Sequence, residues 1–252
     1  MMIPLQKIVY LVIADLKPLI RERKIIVLLL VFPFILNLIF GAMINIYNRE
    51  ASYSTCYLLA LPIAIITVAL FNCFRRGSQT IVTQRENGIL ERVLLSPTHP
   101  VVIVISKILF LEIVAVMQIT VLFTISVFFG FKVSNLPNIV PIILLFTLML
   151  SGFSIFYSNL IKTEDAAEYA SMLIIFPLLI LGGVWVPLDA MPPIAKTIAK
   201  FTPSFYGMDA LQLLMYGEGL TKVVVHIIIL GILAFLFSFI GMLQFKWEKK
   251  RR

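Results

Sequence analysis

The chain of 252 residues is dominated by apolar side chains: 60% of residues are hydrophobic, only 13% are charged, and the mean hydropathy is +1.02. This composition excludes an ordinary soluble domain and indicates a protein embedded in a membrane. The formal net charge of +8 does not indicate a nucleic-acid partner, because the Lys and Arg residues flank apolar runs instead of clustering on a soluble module.

Residues 1–24 have the pattern of an amphipathic helix. Apolar side chains recur at helical spacing from Leu5 to Ile20, and basic side chains close the segment. Such a helix is expected to lie on the inner leaflet, with its basic side chains near anionic lipid head groups. Membrane lipids are therefore predicted partners of this segment. The alternative is a plain positively charged flank of the first span.

Six apolar runs follow, each close to the roughly 20 residues that a helix needs to cross the hydrocarbon core. They comprise residues 25–47, 54–74, 108–130, 139–161, 166–186 and 223–245. The runs lack the alternation of barrel strands, and peptide groups cannot be hydrated in hydrocarbon, so each is predicted to be a helix. The predicted fold is an all-α integral membrane protein with one transmembrane domain, 1–252.

The basic residues predict the orientation of these spans. Sixteen of the 21 Lys and Arg residues fall on one side when the connections are assigned alternately to the two sides. Because Lys and Arg are enriched in cytoplasmic loops, that side is predicted to be the cytoplasm. Both termini and the connection 75–107 are then cytoplasmic.

The connection 75–107 is the longest on the predicted inner side, and its charges alternate in sign around an apolar set. The set comprises Ile89, Leu90, Val93 and Leu94. Its spacing predicts a short helix between two natural breaks, Gly88 and Pro97. Such a helix would present apolar and charged faces to a cytoplasmic partner.

The outer connection 187–222 is long and contains few charges. Its apolar residues fall at helical spacing in two short segments, and Pro192 and Pro193 open the first of them. Two short amphipathic helices that dip back into the outer leaflet are predicted here. A solvated loop is the alternative.

Motifs of catalysis are absent from the sequence. It contains no G-x-S-x-G, no H-E-x-x-H and no Walker A G-x-x-x-x-G-K, and its two histidines, His99 and His226, fall on opposite predicted sides. The chain is therefore not expected to be an enzyme or to bind a metal. If ATP drives this protein, another chain must bind the nucleotide.

Two acidic residues lie within predicted spans. Glu112 and Glu168 are both placed near the inner boundary, where pairing with Lys107 or Lys162, or snorkelling to the interface, is the simplest interpretation. Ion-coupled transporters keep ionisable side chains near the middle of the membrane. The sequence therefore favours a transporter whose energy is supplied by another chain over an ion-coupled transporter.

Two motifs are more specific than composition. The first is E-x-G-x-L-E-R-x-L-x-S-P in the inner connection, and the second is P-L-x-x-M-P followed by P-x-x-Y in the outer one. The first is filled by Glu86, Gly88, Leu90, Glu91, Arg92, Leu94, Ser96 and Pro97, and the second by Pro187, Leu188, Met191, Pro192, Pro203 and Tyr206. With both motifs in order, the whole chain resembles the permease subunits of ABC-type-2 exporters.

The resemblance implies a role for each connection. The inner one would form a coupling helix that docks onto a separate ATP-binding subunit, and the outer one would form re-entrant helices that gate the outer side. The implied docking residues are Arg85, Glu86, Gly88, Leu90, Glu91, Arg92 and Pro97. The implied gate residues are Pro187, Met191, Pro192, Pro203 and Tyr206.

The resemblance also implies the assembly and its energy source. Two copies of the chain, or this chain and a paralogue, would join two ATPase subunits in a prokaryotic inner membrane. ATP and Mg would be bound by those subunits and no cofactor by this chain. The expected function is export of an amphipathic, lipid-linked or drug-like substrate. An ion-coupled secondary transporter, a non-transporting membrane scaffold and an intramembrane enzyme are the alternatives.

Overall fold

The computed structural model describes residues 4–21, 23–47, 53–95, 99–128 and 136–245. These residues form helices joined by short turns, and no β-strand occurs among them. The prediction of an all-α protein is therefore confirmed.

The described residues contain eleven α-helices, six of them in the first half of the chain. Those six are α1 (Pro4–Arg21), α2 (Arg23–Tyr47), α3 (Tyr53–Ala69), α4 (Gly77–Glu86), α5 (Ile89–Leu94) and α6 (Pro100–Phe128). A π-helical segment, Leu70–Arg76, joins α3 to α4 without a break. The predicted inner connection 75–107 is thus largely helical, because the helices on both sides extend into it.

The second half contains five α-helices and one short 3₁₀ turn. The helices are α7 (Leu136–Ser158), α8 (Glu164–Leu181), α9 (Pro193–Ala199), α10 (Pro203–Met215) and α11 (Leu220–Leu243). The 3₁₀ turn, Leu188–Ala190, precedes α9. The outer connection therefore does contain two short helices, α9 and α10, and each begins with a proline. Proline is tolerated at this position because the first N–H groups of a helix make no hydrogen bond within the helix.

Within the described residues, four helical stretches are long and apolar enough to cross a membrane, judged by length and composition. They are Leu59–Glu86, Val101–Thr124, Leu136–Ser158 and Leu220–Leu243. They coincide with the second, third, fourth and sixth predicted spans. The first and fifth predicted spans correspond to α2, whose apolar stretch is Val31–Ile46, and to α8, which carries Glu164, Asp165 and Glu168 near its start.

Helix α7 is the centre of the bundle and packs against α4, α6, α10, α11 and the π-helical segment. Small residues allow its closest approach to α11. A Cβ atom at Gly152 would lie 2.4 Å from the Ser238 hydroxyl, and one at Gly241 would lie 2.9 Å from the backbone nitrogen of Phe156. Such contacts between small residues are typical of helices that associate within membranes.

Aromatic packing holds the π-helical segment against α7. The Phe74 ring is fully buried and stacks on Phe153 with ring centroids 4.6 Å apart, while Tyr157 lies 5.1 Å from the same ring. The main apolar core continues outward from here through α3, α7 and α10. This packing fixes the π-helical segment relative to the central helix α7.

Helix α1 lies against α6 and has apolar side chains on two sides. Val12 and Leu19 are buried, whereas Leu5, Val9 and Ile13 are at least half exposed. The amphipathic segment predicted at the N-terminus is therefore a helix within the described residues, with an apolar face that the rest of the chain does not cover.

Candidate functional site

The turn between α4 and α5 forms the tip of the inner connection. Gly88 adopts the left-handed conformation with φ of 67°, and its N–H group donates to the Arg85 carbonyl at 3.1 Å. This conformation favours glycine and lets the chain change direction between the two helices. The short helix predicted after Gly88 is present as α5, while Pro97 lies outside the described residues.

The guanidinium of Arg85 is buried and caps the central helix. Its Nη2 atom donates to the Ser158 carbonyl at 2.9 Å and also to the Ile161 carbonyl, and the residue is 5% exposed. Carbonyls at the end of a helix lack partners within the helix. The sequence places Arg85 on a docking surface, whereas the structure turns it inward, where it fixes the end of α7.

Two further predicted docking residues also hold the segment in place. Leu90 is 1% exposed and packs in a small cluster with Ile81, Ile103 and Phe245. The Glu86 carboxylate accepts a hydrogen bond from the backbone N–H at the start of α8, at 3.1 Å. Leu90 thereby attaches α5 to α4 and α6, and Glu86 attaches the end of α4 to the start of α8.

The exposed part of α5 is a small patch with one apolar and two charged side chains. Ile89 is 43% exposed, and Glu91 and Arg92 are exposed as well. We name these three residues the docking patch. Of the predicted docking residues, Glu91 and Arg92 therefore face outward, on a segment that Arg85, Glu86 and Leu90 hold to the bundle.

A buried ion pair that the sequence interpretation missed joins α1 to α6. The Lys107 ammonium donates to both carboxylate oxygens of Asp15, at 2.8 and 2.6 Å, and their side chains are 7% and 9% exposed. The Gln84 amide of α4 donates to the same carboxylate at 2.9 Å. The N-terminal helix is thus linked to the helix that carries Arg85. In the sequence, the signal for this pair was the single acidic residue of α1, Asp15, among basic ones.

A second group of polar contacts joins α8 to the π-helical segment and α4. The Arg75 guanidinium pairs with the Glu168 carboxylate, and the hydroxyls of Ser78 and Ser171 lie 3.1 Å apart. The sequence proposed Lys107 or Lys162 as a basic partner for the acids in the spans. Glu168 does pair with a basic side chain, but the partner is Arg75, which helix packing brings to it from 93 residues away.

The contacts of Glu112 differ from those expected. Glu112 lies within α6, and its carboxyl group contacts hydroxyls of α7 instead of a basic side chain. Thr147 Oγ1 lies 2.7 Å from Oε2 and Ser151 Oγ lies 3.1 Å from Oε1. The apolar helical stretch Val101–Thr124 therefore carries an ionisable side chain that meets hydroxyl groups of the central helix.

On the outer side, the predicted gate residues occupy different environments. Pro187 and Pro192 are exposed and Met191 is buried, while Pro203 and Tyr206 at the start of α10 are partly buried. The exposed prolines flank the 3₁₀ turn, whose last hydrogen bond runs from the Met191 N–H to the Leu188 carbonyl.

Tyr206 and Asp209 connect α10 to His226 of α11, which the sequence did not reveal. The Tyr206 ring packs edge-on against His226, with centroids 5.8 Å apart, and His226 Nε2 lies 2.7 Å from the Asp209 carboxylate. The Trp185 indole, which follows α8, donates to the Thr67 hydroxyl of α3 at 3.0 Å. Helix α10 also packs against α3, so it is attached to both α3 and α11.

No group of three or more His, Cys, Asp or Glu side chains is arranged to hold a metal ion in the part of the chain that the structure describes. The chemistry that these residues offer is recognition and helix attachment: a small charged patch on the inner side and a proline-rich hairpin on the outer side.

Comparison with known proteins identifies the family of this chain. The family model for ABC-2 type transporters matches residues 6–216. The chain is 28% identical over 87 residues, 34% of its length, to Nodulation protein J of Rhizobium leguminosarum bv. trifolii. It is 25% identical over 162 residues, 63% of its length, to the Probable multidrug ABC transporter permease YbhR of Escherichia coli strain K12. The matches span 33% and 43% of those two proteins. Because the family model covers most of the chain, this protein belongs to the ABC-2 type transporter family.

Proposed function

We propose that this chain is the membrane-spanning permease subunit of an ATP-driven exporter. Family membership supports the class of protein, and the docking patch supports its coupling to a partner. ATP and Mg bind to a separate ATPase subunit, and this chain carries no catalytic step. The single observation that carries the proposal is that an exposed charged patch stands on a segment held by buried polar and apolar contacts.

The proposed topology has six spans with both termini in the cytoplasm of a prokaryotic inner membrane. The bias of Lys and Arg toward the N-terminus, the α4–α5 tip and the C-terminus supports this orientation. Helix α1 lies on the inner leaflet, and its exposed apolar side chains Leu5, Val9 and Ile13 contact lipid.

The outer helices α9 and α10 form the proposed re-entrant hairpin and gate. Ile194 and Phe201 are 76% and 85% exposed, which suits contact with the outer leaflet. Met208 and Leu211 of α10 are buried against the bundle. A hairpin with one lipid-facing helix and one bundle-facing helix can move with α11, to which Tyr206 attaches it.

The transport unit is proposed to contain two copies of this chain, or this chain and a paralogue, with two ATPase subunits. Exposed apolar side chains along α2, such as Val31, Ile35 and Ile39, offer a surface for lipid or for a second copy. An amphipathic, lipid-linked or drug-like cargo fits a pathway made of such helices.

The docking patch is the proposed point at which the ATPase acts. ATP favours the closed pair of ATPase subunits, and this preference can shift the permease only if the two chains remain attached in both states. Because Arg85 fixes the end of α7 and Leu90 packs against α6, a force on α5 reaches two spans directly.

The test is a charge reversal of the patch, Glu91→Lys together with Arg92→Glu, in the full-length chain co-expressed with the candidate ATPase subunit. We expect the double variant to fold but to lose co-purification of the ATPase and stimulation of ATP hydrolysis by compounds in liposomes. Both charges lie at an exposed surface, and the buried contacts of Arg85 and Leu90, which hold this segment to the bundle, are unchanged in the variant.

The matched control is Asp189→Lys together with Lys200→Glu, which reverses one exposed acid and one exposed base on the outer hairpin. This control should co-purify with the ATPase as the wild type does. Normal co-purification and stimulation with the Glu91/Arg92 variant would show that α5 is not the docking site.

A further inference from the structure

Glu112, Thr147 and Ser151 form a polar cluster between α6 and α7, which we name the Glu112 cluster. Thr147 lies 11 residues from each end of α7, so it is about 16 Å from either end at 1.5 Å per residue. Glu112 lies 12 residues from the start of α6 and 16 residues from its end. Both counts place the carboxyl group near the middle of its helices.

The Thr147 and Ser151 hydroxyls can both donate to the Glu112 carboxyl group, and the same contacts also accommodate a neutral carboxylic acid. A hydroxyl has one hydrogen to give, and Thr147 Oγ1 lies 3.0 Å from the Ile143 carbonyl, which can only accept. If Thr147 donates to that carbonyl, the hydrogen in its 2.7 Å contact with Glu112 Oε2 comes from the carboxylic acid. Ser151 then donates to the remaining oxygen, Oε1, at 3.1 Å. Every polar hydrogen of the cluster has an acceptor in this arrangement.

The charged groups near the cluster do not neutralise the Glu112 carboxyl group in place of this proton. The nearest cation along α6 is Lys107, five residues earlier, and it pairs with Asp15 of α1. From the π-helical segment, the Cys73 thiol faces the cluster beside Ser151. The apolar parts of α2 and α3 contain no charged residue. Among the described residues, no cation pairs with the Glu112 carboxyl group.

We propose that Glu112 binds a proton within the membrane, and that the Glu112 cluster is a proton-binding site between α6 and the central helix. The proton converts the carboxylate to a carboxylic acid, which donates to Thr147 and accepts from Ser151. An ionised carboxylate within the apolar stretch Val101–Thr124 and without a cation would be costly, so the surroundings favour the protonated form. When the proton is lost, a negatively charged carboxylate replaces the O–H donor of the carboxylic acid at the contact between α6 and α7.

The site is open to a reagent dissolved in the membrane. Glu112 is only partly buried, and its neighbours on the helix surface, Leu109, Ile113 and Val116, are each about two-fifths exposed. Apolar carbodiimides partition into lipid and react with protonated carboxylic acids, because the acid hydrogen must first pass to a carbodiimide nitrogen before the carboxylate oxygen attacks the carbon. They therefore distinguish a protonated carboxyl group in the membrane from an ion-paired one.

The experiment treats the full-length protein in phospholipid vesicles with dicyclohexylcarbodiimide and identifies the modified peptide by mass spectrometry. We expect Glu112 to be labelled in acidic and neutral buffer and labelling to fall in alkaline buffer. Glu112→Gln, whose amide can also donate to Thr147 and accept from Ser151, should fold normally and lose this labelled peptide completely. The assay needs no ATPase subunit, so its result is independent of the proposed exporter function.

Glu168→Gln is the matched control, because Glu168 also lies in a helix but pairs with Arg75. This variant should be labelled at Glu112 as the wild type is. An infrared spectrum should also lose one carboxylic-acid carbonyl band in Glu112→Gln and none in Glu168→Gln. An unlabelled Glu112 in acidic buffer, or an unchanged carboxylic-acid band in Glu112→Gln, would overturn the proposal.

Discussion

The inner and outer ends of this bundle are held together in different ways. At the inner end, buried charged groups reach across the chain: Lys107 pairs with Asp15, and Arg85 binds carbonyls at the end of α7. In the outer connection, α10 is held by close apolar packing, with Gly207 directly against the Phe146 ring near the middle of α7. Its charged contact, between Asp209 and His226 of α11, is more exposed than the Lys107–Asp15 pair. Directional contacts fix one geometry, whereas apolar surfaces can slide and repack. The inner end is therefore suited to transmit a docking movement and the outer end to accommodate it.

The largest effect should come from breaking the buried ion pair. Lys107→Met leaves the Asp15 carboxylate buried without its cation, which should lower the free energy of unfolding by about 3–5 kcal/mol. The double replacement Asp15→Leu with Lys107→Met removes both charges and should recover most of that loss. Thermal unfolding of the wild type, the two single variants and the double variant in detergent measures the coupling energy of the pair. If the loss in the double variant equalled the sum of the losses in the single variants, the two side chains would not interact.

Loss of the Arg85 cap should have the next largest effect. Arg85→Met removes charged donors from the carbonyls of Ser158 and Ile161 and should cost about 1.5–3 kcal/mol of unfolding free energy. Arg85→Lys keeps one charged donor and should lie between the variant and the wild type. Hydrogen exchange at the end of α7 should accelerate in Arg85→Met, and unchanged exchange there would contradict the proposed cap.

At the outer end, a single methyl group tests the tightness of the apolar contact. A Cβ atom at Gly207 would lie 2.8 Å from a Phe146 ring carbon, so Gly207→Ala should cost about 1–3 kcal/mol through overpacking. Gly231→Ala is the control, because nothing lies within 4 Å of a Cβ atom there. It should unfold at or slightly above the temperature of the wild type. If both variants behave alike, the outer packing is looser than described.

The smallest effect is expected for a charge pair at the exposed outer edge. Lys222 lies 2.7 Å from Glu218 one helical turn away, and both side chains are at least two-fifths exposed. Lys222→Gln should lower the free energy of unfolding by only about 0.3–0.5 kcal/mol, and added salt should reduce the difference further. A loss as large as that of Lys107→Met would erase the contrast between the two ends.

Local properties of the sequence determined much of the fold. Long apolar runs predicted helices because a backbone in hydrocarbon must satisfy its hydrogen bonds within each segment. The break at Gly88 and the prolines that begin α9 and α10 were likewise readable, because the conformations of glycine and proline depend on their own backbone. The two connection motifs led to the family that the whole-chain comparison shows.

Only the tertiary structure decided which side chains meet. Asp15 and Lys107 are 92 residues apart, and Arg85 reaches a carbonyl 73 residues away. The hydropathy of a segment does not encode the rotation or register of one helix against another. For that reason the sequence predicts an exposed Arg85, which the structure buries, and it does not reveal the hydroxyl partners of Glu112. The sequence by itself indicates a helical membrane protein with two long connections of different character, and helix packing determines what holds each of them.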